Sequence, residues 1–102
     1  MKLIKQLKDH INDELCDAEE YAREAILCKE DDEQTAQLYY DLSVEELNHM
    51  DRLHTRVASI IKKYRENNGE PPADMQARYD VLHAMYQEKA LHVRQLQMIY
   101  RG

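Results

Sequence analysis

Residues 33–66 run without a single glycine or proline. Apolar side chains return along them every three or four positions, at Tyr39, Leu42, Leu53, Val57, Ile60 and Tyr64. Only a long α-helix gives that spacing one continuous face. A second face reads Ala36, Tyr40, Val44, Leu47, His54, Ala58 and Ile61. A helix apolar on two flanks needs more than one neighbour. With only 2 Gly and 2 Pro in 102 residues, those neighbours are expected to be helices as well. Two stretches punctuate the chain. Lys29-Glu30-Asp31-Asp32-Glu33-Gln34 is short and polar, and offers Asp31 or Asp32 as a helix cap. Asn67-Asn68-Gly69-Glu70-Pro71-Pro72 joins residues that tolerate left-handed backbone to two prolines that stop a helix. The pattern predicts helices over residues 3–29, 33–66 and 73–100. It describes one all-α domain, residues 1–102, built as an antiparallel helical hairpin plus a third long helix.

The long stripe has two polar interruptions. Glu46 and His49 stand between Leu42 and Leu53, one turn apart on the same helix face. The first helix has a matching break. Its seam reads Leu3, Leu7, His10/Ile11, Glu14, Ala18, Tyr21, Ala25 and Cys28, beside a second face of Ile4, Ile11, Leu15, Ala22 and Ile26. With residue 31 as the hairpin midpoint, Glu14 lies 17 residues before it, and Glu46 and His49 lie 15 and 18 after it. At the helical rise the three sit within roughly 5 Å of one height. A carboxylate in a packed seam costs several kcal/mol unless something meets it. Two carboxylates and an imidazole at one level are a donor set for Fe, and also for Mn or Zn. Two metal ions usually take about four carboxylates and two histidines from a helix bundle. The hairpin supplies half of that, so a twofold homodimer is expected to supply the rest.

Other residues at or near this level keep alternatives open. Asp13 and Asp17 stand close enough to Glu14 that a shift in register exchanges them as ligands. Asp17, Glu20 and Glu24 read otherwise as a solvated acidic face. Glu88 and His92 on the third helix lie 18 and 22 residues past residue 70, against 21 for His49, and are candidates for additional ligation. His10, His54 and His83 read as ordinary surface or core histidines, and Asp80-x-x-His83 has ligand spacing far from the carboxylates. Tyr21 and Tyr39 read first as core aromatics.

The net charge of −6 disfavours nucleic acid and anionic membranes as partners and suits a protein that handles cations. No apolar run approaches spanning length. Cys16 and Cys28, twelve residues apart on one helix, are too distant to pair within the chain. They read as reduced thiols in a cytoplasmic setting. No Ser/His/Asp set, phosphate loop or thiolate cluster competes with the carboxylates.

The run Glu14, Ala18, Tyr21 and Ala25, a short acidic break, then Leu42, Glu45-Glu46 and His49 resembles half of a ferritin-like carboxylate bundle. Rubrerythrins and, nearer in size, the encapsulated ferritins are the relatives it is similar to, over residues 11–57. The resemblance implies a ferritin-like four-helix bundle completed by dimerisation, with larger oligomers built from it. It implies two Fe per dimer interface and ferroxidase activity, the oxidation of Fe2+. On that likeness Glu46 bridges the metals, Glu14 and His49 are terminal ligands, and Tyr21 hydrogen-bonds to a ligand. The chain departs from the family in its longer third helix and in ending at Ile99-Tyr100-Arg101-Gly102 without a targeting extension, so storage inside a protein shell is not expected. The rival expectation is a helical oligomerisation or interaction module, not an enzyme, with a structural metal or none.

Overall fold

The computed structural model describes residues 2–102. Three helices account for nearly all of them: α1, Lys2–Cys28; α2, Glu33–Asn68; and α3, Ala73–Arg101. Among the described residues there is no strand, and no helix is long and apolar enough to cross a membrane. The helices run up, down and up in a rod of 55 × 17 × 17 Å. The expected boundaries hold to within two residues, because each is set by local chemistry. Asp32 caps α2 with extended backbone, its carboxylate accepting from the Thr35 amide at 3.1 Å and the Thr35 hydroxyl at 2.7 Å. Those bonds hold its carboxyl below the usual value. Gly69, at φ +80°, ends α2 by donating to the Arg65 carbonyl, and the two prolines then turn the chain.

The core runs along one flank of the hairpin. α1 contributes Ile4, Ile11, Leu15, Ala18, Ala22 and Ala25; α2 contributes Leu47, Met50, Val57 and Ile61; α3 contributes Leu82, Ala90 and Val93. This corrects the expected α2 seam. The buried line passes through Ser43, Leu47 and Met50, so Leu42, Glu46, His49, Leu53 and Ile60 lie beside it. The reason is the position of α3, which packs mainly on α1 and closes one flank of the hairpin, leaving the other open. The expected α1 seam divides in the same way: Ala18 and Ala25 go inward, while Leu7, Glu14 and Tyr21 stay half-buried.

Near the α1–α2 turn the helices approach closely over Ala18, Ala22, Ala25 and Ala36, all fully buried. One polar chain ties them there. The Gln97 amide donates to the Ser43 hydroxyl at 2.9 Å, and Ser43 donates to the Ala18 carbonyl at 2.9 Å, linking α3 to α2 to α1. Tyr40 and Tyr100 stack above it at 5.1 Å, and Lys29 donates to the Tyr100 carbonyl. Lower down, Tyr86 donates to Asp51 at 2.6 Å, and the His54 ring stacks on Tyr86 at 4.4 Å.

Ser43→Ala leaves the buried Gln97 amide without its partner. It should lower unfolding free energy by about 1–3 kcal/mol in urea titration, and adding Gln97→Leu should recover part of that loss. His54 supplies a pH prediction. Burial, and then the neighbouring His83, lower its pKa from the usual 6.5. The unfolded chain then binds more protons than the folded one below that value, so stability is complete above about pH 6.5 and declines as pH falls through it. The urea midpoint should drop between about pH 7.5 and pH 5, and drop less in His54→Gln.

Candidate metal centre

Glu14 from the middle of α1 and His49 from α2 line the groove on the open flank of the hairpin, and Glu46, one turn before His49, stands beside them. His49 Nδ1 lies 3.7 Å from Glu14 Oε2 and 3.9 Å from Glu46 Oε1. One donor atom from each residue falls within 4.8 Å of the other two, and among the described residues this is the one group of three or more His, Cys, Asp or Glu that could hold a cation. The convergence expected from helical heights is therefore present, carried by the hairpin alone.

The burial differs from a sealed core. The Glu46 and Glu14 side chains are 18% and 28% exposed, whereas His49 is 54% exposed. Even so, Glu14 Oε2 and Glu46 Oε2 are each closed off from solvent and have no hydrogen-bond partner. A carboxylate oxygen removed from water without a donor loses hydration and gains nothing in return. The two carboxylates flank one imidazole, Glu14 through Oε2 and Glu46 through Oε1, and as like charges they repel one another. Arg52 and Arg56 line the same groove with Leu7, His10 and Leu53, yet neither forms an ion pair with the carboxylates.

The donor set fits a divalent cation. Donors on one ion at about 2.1 Å stand about 3.0–3.4 Å apart. The separations from His49, 3.7 and 3.9 Å, are wider than this, and all three donor atoms lie within 4.8 Å of one another. Carboxylate oxygen with imidazole nitrogen suits Fe2+, Mn2+ and Zn2+. Three protein donors leave coordination positions free.

The other predicted residues lie elsewhere. Tyr21 stacks on Tyr39 at 6.1 Å, two turns nearer the hairpin turn, and donates to neither unpartnered oxygen. Asp17 and Glu88 are exposed. His92 faces α1, with Nε2 3.5 Å from Glu19 and 3.4 Å from Arg23. Glu19 is held below its usual pKa by hydrogen bonding to Arg23, with His92 adding to the effect. None of Asp17, Glu88 and His92 belongs to the three-residue group. His10 was not expected at the groove, although its spacing of four residues from Glu14 was a signal that it shares that face.

No family model, curated protein or solved structure matches the chain.

If the two carboxylates repel, removing one charge stabilises the metal-free fold. Glu46→Gln should raise unfolding free energy in EDTA-treated protein by about 1 kcal/mol. An ordinary hydrogen-bonded carboxylate would give the opposite sign, and urea titration distinguishes the two.

Proposed function

We propose that this chain is a ferritin-like half-bundle that binds iron between two copies of itself and oxidises Fe2+. The observation that carries the reading is the convergence of one donor atom each from Glu14, Glu46 and His49 within 4.8 Å, with one carboxylate oxygen of each glutamate shut away from solvent and unpartnered. The open groove supports the dimeric form. It is lined by α1 and α2 only, through Leu7, Glu14, His49 and Leu53, and continues past Leu3, Ile60 and Tyr64. A second hairpin laid on this face would cover that apolar surface and bring a second Glu, Glu and His to the first.

In this reading the chain's residues have separate tasks. Glu46, the more enclosed carboxylate, would hold the cations together with Glu14 and His49. The ladders of α1 and α2 keep the donors on rigid elements, so the site forms without ordering a loop. Leu7 and Leu53, beneath the dimer partner, exclude water and strengthen every charge interaction within. Bound iron supplies the redox chemistry, passing electrons to dioxygen or peroxide. Tyr21 and Tyr39 lie two turns away as a stacked pair.

Anaerobic addition of Fe2+ should convert the protein to a dimer in sedimentation, with two Fe per dimer. Exposure to air should then give the near-ultraviolet absorption of oxidised, carboxylate-bound iron. Glu46→Ala should lose both responses and keep its helical circular dichroism. A wild-type chain whose mass and absorption do not respond to Fe2+ would contradict the proposal. Dimerisation with Zn2+ but no oxidation of Fe2+ would favour a structural metal instead.

A further inference from the structure

A second concentration of metal-binding nitrogen lies on the other flank of α2, where α3 packs. His54 Nε2 and His83 Nδ1 are 2.9 Å apart. A neutral imidazole offers one N–H and one lone pair. Two neutral rings can therefore meet either with one donating to the other, or with two lone pairs facing a shared cation. Two nitrogens held at right angles by an ion at about 2.0–2.1 Å stand about 2.9 Å apart, which is the separation here.

We infer that His54 and His83 form a two-imidazole site for a borderline divalent transition-metal ion, of the class of Ni2+, Cu2+ and Zn2+, clamping α2 to α3. His54 stacks on Tyr86 at 4.4 Å and lies 6.2 Å from Tyr79, and His83 lies 5.9 Å from Tyr79; the two imidazole centroids are 5.0 Å apart with planes 28° from parallel, so a turn of each ring brings both lone pairs onto one ion. Both histidines are only half-buried, so water has access to the remaining coordination positions. Two acidic groups stand close in the chain. Asp51 is fixed by the Tyr86 hydroxyl at 2.6 Å, and Asp80, one turn before His83, accepts from Gln76 at 2.8 Å. Neither joins the imidazoles as a third ligand.

The donor chemistry sets the class of ion. Two nitrogens with no carboxylate ligand discriminate against Mg2+ and Ca2+, and affinity at such sites rises toward Ni2+ and Cu2+. The site has a physical consequence as well. α3 shares less contact with α2 than with α1, so an ion bridging His54 and His83 ties together the weakest of the three interfaces. The assignment is independent of the carboxylate centre, which uses none of these residues.

The test uses full-length His49→Ala, which removes the imidazole of the other centre. Titrated with Ni2+ in a calorimeter, it should bind one ion per chain, and its melting temperature should rise with Ni2+. His54→Gln or His83→Gln in that background should each weaken Ni2+ binding by about tenfold or more. Lowering the pH from about 7.5 to 5.5 should weaken binding to the His49→Ala chain itself, because protons compete for the imidazoles, and this arm does not depend on either glutamine variant folding. Failure of the His49→Ala chain to bind Ni2+ would overturn the assignment. So would an affinity unchanged when His54 and His83 are both replaced.

Discussion

Two carboxylates brought to one imidazole, each with one oxygen shut away from water and without a donor, are the constraint from which the functional reading follows. Folding tolerates such an arrangement only when another contribution offsets it. The groove arginines form no ion pair with Glu14 or Glu46, and His49 Nδ1 stands 3.7 and 3.9 Å from them, within ion-pair reach but beyond hydrogen-bond distance. The remainder of the fold makes the strain affordable. Ala18, Ala22 and Ala25 let the helices close tightly, and the Gln97–Ser43–Ala18 chain locks all three near the turn. Stability is concentrated on one flank, and the unpartnered charge sits on the other.

That asymmetry comes from α3. A four-helix bundle would close both flanks of the hairpin, but a third helix can cover only one. By packing along Leu47, Met50 and Val57, α3 buries the inner flank and leaves Leu7, Leu53 and Ile60 half-covered around the carboxylates. The same choice creates the α2–α3 seam where His54 meets His83. One helix thus separates two clusters of different chemistry onto opposite sides of α2: hard oxygen donors facing the groove, and nitrogen donors facing α3.

Much of this was legible from residues alone. The helix limits were, because Asp32, Gly69 and the two prolines act locally and leave little freedom. The meeting of Glu14 with Glu46 and His49 was, because an antiparallel hairpin fixes heights by counting from its turn. The side on which α3 packs was not. α1 and α2 each carry apolar residues on two flanks, and periodicity cannot rank them; Ser43 reads as a polar break, although it is fully buried where three helices cross. The expectation that Glu46 and His49 lie in the core failed for that reason. His54 and His83 are 16 residues before and 13 after residue 70, so the same counting would have brought them together. Each reads singly as an ordinary histidine, because their level lies away from the carboxylates and no third donor marks it.

The central claim is that a cation completes Glu14, Glu46 and His49 across two copies of the chain. Anomalous diffraction at the iron edge, from crystals grown with Fe2+, tests it most directly. The account predicts two iron peaks about 3.5–4 Å apart, lying between paired hairpins and within bonding distance of Glu14, Glu46 and His49 from both chains. Iron peaks absent from that groove, or a hairpin face that meets solvent in the iron-loaded crystal, would contradict it.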